Sequence, residues 1–243
     1  MRLMKRILSA AAVLALSASL LVGCSSGTAS SVPVSASSAA ESTVSSVEET
    51  ASSAVDENEA AAAQLLNDLT GSYQELWPVI LADEYKQTWL DDCTALVGED
   101  NAEAAFEKLS SMVTGDVYGE DAVKAYANGG GAYFCGFTNS LATLTFDGET
   151  STISGTDKDG NVLFSHTYHY IGMEPVHGLY EFESDDADSG EFTYFFLAPD
   201  TSAETYHIEF RYGSDAEALS QYDAGEYAYW VASGISTDCD QTM

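Results

Sequence analysis

Possible metal ligands alternate in the segment from Thr205 to Glu209. Successive side chains of a β-strand point to opposite faces, so His207 and Glu209 are expected on one face together with Thr205. Imidazole nitrogen and carboxylate oxygen both bind zinc, which takes three or four protein ligands in most sites. We therefore expect a further donor from His166 or His169, which face opposite ways on another strand, so at most one can join. The alternative is a polar strand face on which His207 bonds Glu209 or water.

Signatures of catalysis are missing from the sequence. It has no Gly-x-Ser-x-Gly, no phosphate-binding loop and no His-Glu-x-x-His. The acidic run from Asp185 to Gly190 resembles half of a calcium loop, but it lacks the third acid before the glycine and the downstream glutamate. We interpret this run as a solvated acidic turn and predict that the protein is not an enzyme.

The charge of the chain restricts its partners. Eight Lys and Arg residues stand against 39 Asp and Glu residues, for a net charge of −31. Because phosphate backbones are bound by clustered Lys and Arg, nucleic acid is excluded as a partner. A strongly negative surface favours metal cations, such as a divalent metal ion, and cationic partners in a general way. The alternative is that the charge has no specific partner, since acidic surfaces are common in secreted proteins.

The N-terminus has the pattern of an export signal. A basic start is followed by an apolar stretch and by Leu21-Val22-Gly23-Cys24, which resembles a lipobox. We predict a lipoprotein signal peptide over 1–23, lipidation of Cys24, and a protein held on the extracytoplasmic face of a bacterial membrane. Residues 24–58 are rich in Ser and Ala without apolar periodicity, which predicts a flexible tether.

The rest of the chain changes from helical to strand periodicity. Helical spacing of apolar residues runs from about 59 to 114, with a break at Pro78, and the period becomes two after the three glycines at 129–131. The expected helices cover 59–69, 73–80, 85–96 and 101–114, and the expected strands cover 132–137, 141–146, 151–154, 162–171, 179–183, 192–198 and 205–212. Short strands after a helical start predict an α+β, mainly β fold, an antiparallel barrel or sandwich with N-terminal helices packed on it. The domain is expected over 59–236, followed by a tail over 237–243.

Two further groups of residues leave alternatives open. Cys93, Cys135 and Cys239 follow the lipobox cysteine, and a pairing of Cys93 with Cys135 is one possibility for an exported chain. Several aromatic side chains on the expected strands either form a plain core or line a pocket for an apolar or sugar-like ligand. These aromatic residues are Tyr168, Tyr170, Phe192, Tyr194, Phe195 and Phe196.

Several segments, taken in order, resemble the ZinT (YodA) family. They are Gly71 to Pro78, Tyr168 to Gly172, Gly178 to Glu183, Ala198-Pro199, Tyr206 to Ile208 and Tyr212 to Asp215. The resemblance implies a lipocalin-like (calycin-like) barrel with added helices. It also implies zinc binding outside the cytoplasm and delivery of the ion toward a zinc ABC transporter, with that transporter's binding protein as a partner.

The residues that bind zinc in the family are mostly replaced in this chain. Family members use three histidines, one of them four residues before a proline and two in a His-x-His. The matching positions here are Phe195, Thr205 and His207. The resemblance therefore implies a weakened or repurposed zinc site on this barrel. The alternative is a non-metal ligand-binding or interaction module that kept the barrel and lost the site.

Overall fold

The fold is a closed barrel of eight antiparallel strands. The structure is a computed structural model, and it describes residues 57–131, 133–199 and 206–239. The strands are β1 Gly71–Glu75, β2 Thr143–Asp147, β3 Thr152–Thr156, β4 Val162–Met173, β5 Tyr180–Ser184, β6 Tyr194–Leu197, β7 His207–Gly213 and β8 Ala232–Ser236. Each strand pairs with the next along the chain, and β8 pairs with β1 to close the barrel. This up-and-down order confirms the prediction of a lipocalin-like antiparallel barrel.

One helix precedes the barrel, four lie between β1 and β2, and one short helix lies between β7 and β8 in the described part of the chain. They are α1 57–68, α2 Leu76–Ile80, α3 Lys86–Val97, α4 Glu99–Val113, α5 Glu120–Ala127 and α6 Ala216–Leu219. Gly98, with φ of 85°, separates α3 from α4, and Glu99 and Asp100 stand in the first turn of α4, where the helix dipole favours acids. No helix in the described part of the chain is long and apolar enough to span a membrane.

Aromatic side chains fill the inside of the barrel. Phe195 is fully buried, and its ring centroid lies 5.4 Å from that of Tyr212 and 5.9 Å from that of Phe164. Eight strands enclose a space just wide enough for side chains, so these rings occupy most of it. Within the described residues, the aromatic groups on β4, β6 and β7 therefore act as core, which supports the plainer of the two interpretations above.

Most of the predicted strands are confirmed, whereas one helix and one strand were wrong. The helix expected over 73–80 is a strand over Gly71–Glu75 followed by α2, because residues 71–75 pair with both β2 and β8. The strand expected over 132–137 is an irregular segment with isolated bridges at Phe134. Helix α5 and strand β8 were not predicted at all.

The predicted signal peptide, Cys24 and the tether to residue 56 lie outside the described residues. They remain predictions from the sequence, as do the limits of the domain and of the tail.

Candidate functional site

Strand β7 carries His207 and Glu209 on the outer face of the barrel. The alternate residues Ile208, Phe210 and Tyr212 belong to the core inside the barrel, so the two polar side chains point outward as the strand period requires. Nε2 of His207 lies 3.6 Å from Oε1 of Glu209. The pair predicted from the sequence is therefore in contact, and it lies outside the barrel.

A second hydrophobic cluster adjoins this outer face. It contains Leu76 and Trp77 of α2, Val113 at the end of α4, Cys135 and Ile235 of β8. Ile235 is the register partner of His207, so the imidazole lies beside this cluster.

The two members of the pair differ in their exposure to solvent. The side chain of His207 is only 8% exposed, whereas that of Glu209 is 30% exposed. The ring of Tyr206 packs against His207 with centroids 5.0 Å apart. A site built on the pair therefore opens to solvent mainly on the side of Glu209.

His166, the third predicted ligand, lies elsewhere in the barrel. It is on β4, which is separated from β7 by β5 and β6. Its Nδ1 lies 2.8 Å from Oδ2 of Asp186, and its ring stacks with Phe164 of the core. The structure therefore does not bring His166 together with His207 and Glu209.

The other histidines also stand beside carboxylates. His169 points away from the barrel, with Nδ1 2.7 Å from Oδ1 of Asp185. Nδ1 of His177 lies 3.4 Å from Oε2 of the fully buried Glu174. The acidic turn after β5 thus supplies hydrogen-bond partners to His166 and His169 of β4.

Cys135 lies beside strand β8 and is almost completely buried. Burial, with a smaller contribution from the charge of Glu209, raises the pKa of this thiol to about 12. Cys93, on α3, is also a buried free thiol, and burial raises its pKa as well. The two are not joined, so the pairing considered from the sequence is absent from the structure.

Arg211 is a buried residue of β7 that sequence patterns did not single out. It is fully buried on the outer side of the barrel wall, two positions after Glu209. Its guanidinium group donates hydrogen bonds to the carbonyl oxygens of Leu219 and Tyr227 and lies 4.2 Å from the ring centroid of Tyr222. Burial lowers the pKa of Arg211. A lone arginine among apolar strand residues was the signal that could have pointed to it.

The described residues contain no group of three or more His, Cys, Asp or Glu side chains that converges closely enough to hold a metal ion. An open groove is lined by Gln74, Glu75, Pro78, Val79, Leu141 and Ala142, and none of the predicted site residues lines it. Of the three residues predicted as ligands, His207 and Glu209 lie side by side on β7, and His166 lies apart from them.

The fold and the site together define an eight-stranded antiparallel barrel with a histidine–carboxylate pair on its outer face. No known protein-family model and no curated protein matches the sequence.

Two solved structures of the same protein are similar in fold. The chain is 16% identical to Zn(II)-bound AdcA from Streptococcus pneumoniae, with 72% of this chain and 33% of that chain covered and a TM-score of 0.44. For the Zn(II)-bound ZinT-like domain of the same AdcA, the identity is 16%, the coverage 72% and 84%, and the TM-score 0.45. Such values are too low to assign this chain to a family.

Proposed function

We propose that the protein is exported, anchored to the membrane through lipid on Cys24, and binds a divalent metal ion, zinc by preference, at His207 and Glu209. The observation that carries the proposal is the separation of 3.6 Å between Nε2 of His207 and Oε1 of Glu209. Two donors bound at about 2.1 Å to one tetrahedral ion lie about 3.4 Å apart. A shift of a few tenths of an ångström would therefore let both atoms bind one zinc ion.

The donor types suit zinc, and their number determines the affinity. One imidazole nitrogen and one carboxylate oxygen are common zinc ligands, but two protein ligands are fewer than the usual three or four. The remaining positions would be taken by water, so binding is weak and release is easy. The net charge of −31 offsets part of this weakness because it raises the local concentration of cations.

Weak, reversible binding suits a protein that passes an ion on. We propose that the ion is delivered to the binding protein of a zinc transporter on the same membrane. Such a role needs no catalytic group, in keeping with the prediction that the protein is not an enzyme.

A second candidate function is that of a non-metal interaction module. It is favoured by the filled interior of the barrel and by the lack of a converging three-donor group among the described residues. In that case His207 and Glu209 are simply a polar pair on a strand.

Zinc titration of the purified full chain, followed by calorimetry, separates the two functions. We expect saturable binding of one ion per chain that is lost in His207→Ala. His169→Ala is the matched control, since His169 also has carboxylate neighbours but points into solvent from β4. If the heats are non-saturating and the same in all three proteins, the interaction module is the better account.

The membrane anchor has its own test. In Cys24→Ser, lipid labelling and recovery in the membrane fraction are expected to be lost together. Unchanged recovery of that variant with the membrane would overturn the proposed anchor and leave the metal site untouched.

A further inference from the structure

Helices α3 and α4 form a hairpin that is attached to the rest of the chain away from its turn. Gly98 is the single residue between the helices, and the rings of Trp89 and Phe106 pack between them with centroids 6.2 Å apart. Nε1 of Trp89 donates a hydrogen bond to the carbonyl oxygen of Ile80, and Val113 belongs to the hydrophobic cluster beside strand β8. A helix rises about 1.5 Å per residue, so the turn lies roughly 14 Å along α3 from Trp89 and roughly 22 Å along α4 from Val113.

The turn of this hairpin exposes a run of apolar side chains. Every residue from Thr94 to Asn101 is exposed, so nothing in the described part of the chain covers the turn. Ala95, Leu96 and Val97 are consecutive within it, and Leu96 is 63% and Val97 46% exposed. Single exposed apolar residues are common on protein surfaces, whereas an exposed run of three or more is unfavourable in water unless it serves a contact. These three residues are the apolar tip of the hairpin.

Carboxylates flank the apolar tip, and the nearest lysines of the hairpin are distant from it. The acids on both sides of the tip are Asp91, Asp92, Glu99, Asp100 and Glu103. Within the described residues, none of these acids takes part in a salt bridge. Lys86 and Lys108 lie at least about 15 Å along the helices from Gly98. The last turn of α3 also has no basic residue to match the negative end of its helix dipole, so the tip lies in a negative field.

We propose that the apolar tip and its acidic rim are a docking surface for a cationic amphipathic segment of another protein, in which an apolar side chain stands between Lys or Arg residues. Interfaces have an apolar centre and a polar rim, and opposite charges on the two rims select the partner. A second copy of this chain would bring the same acids together, which the net charge of −31 opposes. Anionic lipid is repelled in the same way. The inference goes beyond metal binding and does not depend on it.

Fluorescence anisotropy on the purified full chain tests the apolar part of this surface. The probe is a labelled synthetic peptide of leucine and lysine, arranged as an amphipathic helix. We expect saturable binding that weakens roughly tenfold in Leu96→Ser, because burial of one leucine side chain changes Kd by about that factor or more. Val162→Ser is the matched control, since Val162 is 70% exposed at the start of β4 and should leave Kd unchanged.

The acidic rim has its own readout in the salt dependence of binding. Glu103→Gln should weaken binding of the same peptide at low ionic strength and match the parent protein at high ionic strength, where exposed charges are screened. Glu149→Gln, at an exposed acid in the turn after β2, should match the parent protein under both conditions. Equal weakening in the two variants would show attraction to the net charge alone and would overturn the role of the rim.

Four further results would overturn the inference. Equal binding by the parent protein, Leu96→Ser and Val162→Ser would mean that the tip is not the contact, and no binding of the peptide would remove the proposed partner chemistry. Binding to phosphatidylcholine vesicles that weakens in Leu96→Ser, but not in Val162→Ser, would assign the tip to a membrane. A dimer in sedimentation equilibrium that is lost in Leu96→Ser would assign it to a second copy. Circular dichroism shows that the compared variants are folded, as the exposure of both residues leads us to expect.

Discussion

Replacing Phe195 by alanine tests whether the inside of the barrel is core or a ligand pocket. The ring is fully buried and packs against Phe164, Tyr168 and Tyr212. A buried aromatic side chain removes about 150–250 Å² from water, worth roughly 4–6 kcal/mol at about 25 cal/mol/Å². Measured Phe→Ala costs are about 3–5 kcal/mol. We expect a loss of about 4 kcal/mol in the free energy of unfolding.

Urea denaturation followed by fluorescence measures this loss. The matched control is Val176→Ala, an apolar residue that is 73% exposed and should change the free energy of unfolding by less than about 0.5 kcal/mol. The two variants should differ in midpoint and agree in slope. A cost at Phe195 no larger than that at Val176 would refute a packed interior and revive the pocket for a small ligand.

Three further predictions concern groups that the structure places in defined surroundings. Arg211→Met removes two charge-assisted hydrogen bonds to buried carbonyl groups and should lower the free energy of unfolding by about 2–4 kcal/mol, measured by urea denaturation. The exposed Lys124→Met should lower it by under about 0.5 kcal/mol. Equal losses in the two variants would show that the hydrogen bonds of Arg211 do not stabilise the fold. Three hydrogen bonds from Asp159 and Asn161 lower the pKa of the Asp157 carboxyl group. The ionised carboxylate therefore stabilises the fold above the unfolded pKa of about 3.9, and this stabilisation is lost as the pH falls through the lower folded pKa. Asp157→Asn should therefore lower the Tm at pH 7 but not at about pH 2, and an equal drop at both would contradict this. With its pKa raised to about 12, the Cys135 thiol should resist a thiol reagent at about pH 8 until the protein unfolds, so labelling at the rate of a free thiol would refute its burial.

The sequence was sufficient for strands whose apolar residues alternate within one segment. In β4, Phe164 and Tyr168 alternate with Thr167 and His169, and the structure buries the first two and exposes the second two. The pattern failed for β1, because Tyr73 has helical spacing to Leu76 of the following helix. Its strand conformation comes from β2 and β8, which are far away in sequence.

Strand β8 also could not be predicted from local sequence pattern. Its sequence, Ala-Ser-Gly-Ile-Ser, has one large apolar residue and no clear alternation, so local pattern does not predict a strand. It becomes one because β7 and β1 both pair with it and close the barrel.

The candidate site was likewise predictable only in part from the sequence. Alternation alone placed His207 and Glu209 on one face of β7, and in the structure Nε2 of His207 lies 3.6 Å from Oε1 of Glu209. Alternation does not predict whether the pair lies inside or outside the barrel, and it does not predict where Cys135 lies. Both depend on where the chain passes beside β8, and the distance between β4 and β7, which separates His166 from the pair, likewise depends on the strand order.

The most direct test of the proposed metal site is X-ray absorption at the zinc K-edge of the full chain loaded with one zinc ion. The account predicts scattering from a single imidazole, which disappears in His207→Ala and persists in His169→Ala. A shell of oxygen ligands alone, unchanged in His207→Ala, would contradict it.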